Sequence, residues 1–301
     1  ITAMGRARPT KPDPYSTHRH ALAPLLPGAP ESALLTACEY ATAAGEESFT
    51  TFLISQGLAP LWGEHIAQYN GHLPLSQQTQ DRLHQCQLAA TGIYLLQHHN
   101  LQLAGEILNS AHIPHAIIKG SHTRELYYDT PALRPAVDID ILVKPEHRLK
   151  AIKAFQTQSF KFHALAQNIS HECNLLKGNT AIDLHWDIFR PGRTRQPMVN
   201  ELLDKRVDYG SHWGLSHGAT LFLMLVHPVF AKYSTTPHAA LVRLVDLAQL
   251  LHRHPESAEE AVPLLHQAGL ATAGWITAIW LDMLTDNPQP RLLAEQIEPG
   301  S

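Results

Sequence analysis

Asp138 and Asp140 stand two apart in Val137-Asp-Ile-Asp-Ile-Leu-Val143, a run in which apolar and acidic residues alternate. On a strand, that spacing sends both carboxylates to one face and Val137, Ile139, Ile141 and Val143 to the other. Two carboxylates held this close repel, and each raises the other's pKa unless a cation lies between them. Such an oxygen-rich pair suits magnesium, which takes its remaining ligands from phosphate and water. A solvated edge strand presents Asp-x-Asp equally well, so a further carboxylate is needed to separate the two readings.

Asp183 is the candidate. Ser170 to Leu176 and Ala181 to Ile188 read as strands joined by Lys177-Gly178-Asn179-Thr180, and Gly-Asn is a good two-residue hairpin turn. The turn sets the register: Lys177 opposes Thr180, Asn174 faces Asp183, and Glu172 faces His185. Ile182, Leu184, Trp186 and Ile188 then take the other face. If the two acidic strands are sheet neighbours, Asp183 joins Asp138 and Asp140. Three carboxylates can hold two metal ions, one for the attacking oxygen and one for the leaving phosphate. Glu172 and His185 have an ordinary reading as a cross-strand acid–histidine pair, though His185 beside the acids could steer a substrate.

Upstream, His115-Ala-Ile-Ile-Lys119 is an apolar run that reads as a buried strand ending at Gly120. A helix is expected over Thr123 to Tyr127. Its N-terminus offers free backbone N–H groups to a phosphate, with Ser121 either capping it or donating to the phosphate. Lys119 and Arg134 could neutralise a triphosphate; either could also pair with a nearby Asp.

The elements that must position these residues follow from texture. Residues 1–30 are Pro-rich and read as a loose arm. Ser32 to Ala111 is helical in pattern, most clearly over Ser76 to Leu108, where Leu83, Cys86, Leu88, Ile93 and Leu96 recur at helical spacing. Strands dominate over 112–190, with a helix over Glu146 to Gln158. Beyond Pro191 helices return at Ala219 to Val226, Ala239 to His252, Ser257 to Gln267 and Ala271 to Leu284. Ser257 is the expected N-cap of the third, with Glu260 completing a capping box. The expectation is an α+β fold: a loose arm over 1–30, a helical region over 31–111, a small mixed sheet over 112–190 and a second helical region over 191–301.

Composition narrows the function classes. With 44% hydrophobic and 17% charged residues, the chain has the balance of a soluble globular protein. A net charge of -4 argues against binding bulk nucleic acid. The three dispersed cysteines (Cys38, Cys86, Cys173) form no C-x-x-C pair and fit a reducing cytoplasm. No apolar run approaches the roughly 20 residues that span a bilayer, so no membrane partner is expected. Met4 rather than Ile1 is the expected native start, and Gly300-Ser301 is read as an added tail.

Taken together, the strand ending in Gly120-Ser121, the Asp138-Ile-Asp140 strand and the later Asp183 resemble the polymerase-beta-like nucleotidyltransferase superfamily. More narrowly, Ile118-Lys-Gly, Leu126-Tyr127, Leu133-Arg134-Pro135, Asp138-Ile-Asp-Ile-Leu-Val143 and Ile182-Asp-Leu-His-Trp186 resemble a bacterial family described as uncharacterised nucleotidyltransferases. His227 and Arg243-Leu-Val-Asp246 extend the likeness, over roughly residues 112–252. The resemblance implies a small mixed sheet flanked by helices, two magnesium ions and an NTP donor, with ATP the default. It further implies that Asp138, Asp140 and Asp183 are the metal-binding, catalytic carboxylates and that Gly120 and Ser121 lie under the phosphates.

Arg243 and Asp246, one helical turn apart, have a separate reading as a structural ion pair. The expected reaction moves an NMP group to a small-molecule or protein acceptor, with release of pyrophosphate. A non-catalytic nucleotide- or partner-binding module of the same fold is the first alternative. A transition-metal hydrolase using His163, His171 and His185 is the second, although their spacing matches no zinc signature.

Overall fold

The hairpin forms in the register that its turn dictates: Lys177 opposes Thr180, Asn174 opposes Asp183 and Glu172 opposes His185. Gly178 supplies the positive φ of 57° that the tight turn requires. This hairpin belongs to a computed structural model that describes residues 13–163, 171–232 and 240–299. The first twelve residues of the expected arm, Met4 among them, and the 300–301 tail lie outside the described residues.

Among the described residues seven strands form one mixed sheet: β1 (His115–Ile118), β2 (Ile139–Val143), β3 (Lys161–His163), β4 (Glu172–Lys177), β5 (Thr180–His185), β6 (Val207–Asp208) and β7 (Trp213–Gly214). Their order is β3-β4-β5-β2-β1-β7-β6. β2 runs antiparallel to β1 but parallel to β5. The two acidic strands are therefore direct neighbours at the centre of the sheet. β3, β6 and β7 were not expected, since strands of two or three residues carry no periodic signal.

Alternation along the central strands divides the core in two. Ile139, Ile141, Val143, Ile182 and Leu184 are buried with Leu101 and Leu108 of the Gln77–Ser110 helix and Phe155 of the Arg148–Thr157 helix. Residues of the opposite parity, Ala116, Ile118 and Leu142, join the larger cluster built from the N- and C-terminal helices. Asp140 shares the parity of Leu142, so it faces the second layer. Val137 departs from the expectation: it is 87% exposed, because β2 begins only at Ile139.

The N-terminal helices are Glu31–Ala44, Glu46–Ser55, Ala59–Gln68 and Gln77–Ser110. Ser76 caps the last, accepting from the Thr79 amide. The arm is not loose throughout. Ser16–Leu22 is helical and Ala21, Leu22 and Leu25 are buried. Trp62 Nε1 donates to the Ala21 carbonyl at 2.9 Å. Burial of three apolar side chains here outweighs the Pro-rich composition.

In the C-terminal region the helices include Val199–Asp204, His217–His227, Ala240–Arg253, Ala258–Ala268, Ala271–Leu284 and Gln289–Ile297. The capping box at Ser257 does not form: Ser257 has helical dihedrals and makes no cap bond. Glu260 instead accepts from Ser216 Oγ at 2.9 Å, on the residue that caps the His217–His227 helix. Among the described residues no helix is long and apolar enough to cross a membrane.

Candidate active site

Parallel pairing of β2 with β5 sets Asp140 directly beside Asp183, and Leu142 beside His185. His185 follows Asp183 by two residues, so strand alternation gives both side chains one face. Ligand atoms of Asp140, Asp183 and His185 all lie within 4.8 Å of one another. β4 adds the next row: Asn174 Nδ2 donates to Asp183 Oδ1, and Glu172 Oε2 lies 3.1 Å from His185 Nδ1.

Asp140 is the electrostatic centre. Its Oδ1 accepts from Lys119 Nζ at 2.6 Å and from His185 Nε2 at 2.8 Å. Burial opposes its ionisation, yet the Lys119 charge and the His185 bond outweigh burial and hold its carboxyl far below the usual range. For His185 the balance is similar: burial and Lys119 push it down, and its bonds to Asp140 and Glu172 leave it above its ordinary value. Asp183 moves the other way, raised by burial and then by the charge of Asp140.

Lys119 reaches this cluster because Ile118 ends β1 opposite Asp140 and the chain then turns sharply. Lys119 itself takes φ 56°, a left-handed conformation that costs an L-residue on the order of 1 kcal/mol. Strain of this kind gathers at functional sites.

These side chains open on a cavity of about 850 Å³, whose wall also includes Asp138, Gly120 and Arg134. Asp138 is half-buried one residue before β2; the converging trio is Asp140, Asp183 and His185, not the three aspartates. The donor set nonetheless fits a divalent cation, because two carboxylates face each other and a cation between them relieves both the burial and the Asp140 charge that raise Asp183.

The chain matches, over residues 42–282, a family described as an uncharacterised nucleotidyltransferase. It belongs to that family. The match extends well beyond residues 112–252 and takes in helices on both sides of the sheet. No curated protein matches the chain.

Within this nucleotidyltransferase-family chain, several expected site residues hold other posts. Ser121 is fully buried and donates to the Asp138 carbonyl at 2.8 Å. It does not cap the helix, which starts at Lys119 after Ile118; its hydroxyl ties down the entry to β2. Gly120 lines the cavity, and a Cβ there would collide with the Arg134 guanidinium. Arg134 grips Asp246 through Nη2 at 2.5 Å and Nε at 3.1 Å. Asp246 also accepts from Tyr128 at 2.6 Å. The partners identified for Asp246 are thus Arg134 and Tyr128, and Arg134 is a buried anchor at the cavity wall. His163 lies on β3 opposite Asn174, and His171 pairs with Glu172 at 3.6 Å; neither joins the converging trio.

Other cavity residues were not singled out from the sequence. Arg190 and Arg193 follow β5 in an exposed loop, and Phe189 meets Phe230 with ring centroids 5.4 Å apart. Three arginines within Arg190-Pro-Gly-Arg193-Thr-Arg195 were a visible cluster of charge. Nothing in the sequence marked Phe230.

Proposed function

We propose that this protein transfers a nucleoside monophosphate from an NTP, by default ATP, to a hydroxyl, amine or phosphate on a small-molecule or protein acceptor. The acceptor attacks the α-phosphorus, the bond from that phosphorus to the bridging oxygen breaks, and pyrophosphate leaves with the bond electrons. The observation that carries this reading is the pairing of Asp140 with Asp183 on adjacent parallel strands at the wall of a cavity. Asp140 and Asp183, with Asp138 beside them, would hold magnesium, which supplies charge neutralisation at the triphosphate and at the attacking oxygen. Asp183, with its raised carboxyl, accepts the acceptor's proton. Lys119, Arg190 and Arg193 neutralise the phosphates, and His185 holds Asp140 in place. Positioning and charge supply most of the acceleration in phosphoryl chemistry. Three cysteines that are all free support a reducing compartment such as the cytoplasm.

The test is to incubate the purified protein with each labelled NTP, magnesium and a cell extract, then follow pyrophosphate and identify the labelled product, including the protein itself. Asp138→Ala and Asp183→Ala should abolish turnover while circular dichroism shows an intact fold. Turnover retained in either folded variant refutes the assignment. Nucleotide binding without pyrophosphate release in the parent protein points instead to a sensing module.

A further inference from the structure

Asp140 is buried, with its side chain only 6% exposed, and a buried carboxylate needs a counter-charge. Lys119 supplies it, with Nζ 2.6 Å from Oδ1 and 3.4 Å from His185 Nε2. An ammonium in contact with Oδ1 repels a divalent cation approaching the same carboxylate. The two cations compete for one ligand.

The two donors on Oδ1 differ in freedom. His185 is anchored at its far nitrogen by Glu172 at 3.1 Å and is 2% exposed. Lys119 has no second tether of that kind; its side chain is 25% exposed and borders the cavity that Asp138 and Asp183 also line. A lysine ammonium is a compact charge on a flexible stem, suited to changing partners in a way that a bidentate arginine is not.

We propose that Lys119 is an exchangeable counter-ion: it neutralises Asp140 until a triphosphate enters the cavity, then moves onto the phosphates and frees the carboxylate for the metal. The proposal rests on the nucleotidyl-transfer reading and adds a rule of assembly to it. A free divalent ion binds poorly, and nucleotide and metal each tighten the other's binding. The metal-binding centre is thereby completed only when substrate is present. His185 stays on Asp140 throughout, so the carboxylate keeps its orientation while its cation changes.

The experiment measures Mn²⁺ binding to the full chain by electron paramagnetic resonance, with and without an ATP analogue carrying a methylene between the α- and β-phosphates. Wild type should bind Mn²⁺ weakly alone and about tenfold or more tightly with the analogue. Lys119→Met should bind Mn²⁺ alone about tenfold more tightly than wild type does, and the analogue should add much less. Lys119→Gln gives the same readout should the Met variant prove unstable. Direct ligation of Mn²⁺ by the analogue's phosphates occurs in every variant, so the deciding quantity is affinity in its absence. Variants with unchanged or weaker affinity for free Mn²⁺, beside a wild type that still binds metal with the analogue, overturn the exchange and leave the nucleotidyl-transfer reading standing. Failure of wild type to bind Mn²⁺ under either condition removes both.

Discussion

At the scale of the residue, one carboxylate oxygen carries the site. Asp140 Oδ1 accepts from Lys119 and His185, and His185 is held in turn by Glu172. Asp140→Asn strips the negative charge that faces the Lys119 ammonium and accepts from His185. It should cost about 3–5 kcal/mol, the range for breaking a buried pair on one side, read as a lower midpoint in urea. Glu172→Gln leaves Asp140 charged but loosens the histidine that orients it. Loss of such an orienting partner should lower turnover by about tenfold, with little change in KM for the NTP, as steady-state pyrophosphate release would show. Asp140, Asp183, His185 and Glu172 were all legible, because strand alternation and hairpin register are local arithmetic. The place of Asp138 was not: its carbonyl is bonded by Ser121, 17 residues earlier, and β2 starts only after it.

Between elements, the Arg134–Asp246 pair joins the segment leading into β2 to the Ala240–Arg253 helix. Its partners lie 112 residues apart in sequence, and both are buried. Arg134→Ala leaves Asp246 buried with Tyr128 as its remaining identified partner and should destabilise by about 3–5 kcal/mol. Arg134→Met combined with Asp246→Leu should recover much of that loss, since a packed apolar pair avoids the orphaned charge. Chemical denaturation of the two single variants and the double variant checks both expectations. The spacing of Arg243 and Asp246 suggested a pair within one helix; the bonds identified for Asp246 include a bidentate partner brought in from another layer, which no local spacing announces. A distant group likewise draws Glu260 away from Ser257 to Ser216.

Across the whole molecule, histidines join the sheet layer to the C-terminal helices. His122 Nδ1 lies 2.8 Å from His212 Nε2, and His122 Nε2 lies 3.0 Å from Thr220 Oγ1. Burial, then neighbouring histidine charge, pushes His122 well below its ordinary value of 6.5. Burial, with His98 next, takes His212 down to about 4. Both are therefore neutral in the folded protein at pH values where the unfolded chain already binds protons. Below pH 6.5 the unfolded state takes up more protons, so stability falls as pH drops towards about 4. For His212 alone the loss is on the order of 3 kcal/mol. Urea midpoints at pH 7.5, 6 and 5 should decline in that order, and His212→Gln should flatten the decline. An equal slope in that variant would show that other groups set the acid response.

The amino-acid sequence alone determined the α+β fold class, the hairpin and its register, the long Gln77–Ser110 helix, four helices between His217 and Leu284 and the acidic face of two strands. Each of these rests on periodicity or turn chemistry, which act between residues close along the chain. Tertiary structure alone decided that β5 lies parallel to β2, which sets Asp183 against Asp140. It also decided that Lys119 and His185 share one oxygen, that Arg134 belongs to Asp246, and that residues 16–25 pack instead of trailing. Those outcomes depend on which distant groups can satisfy a buried charge or an apolar surface at once, and no local pattern encodes that choice.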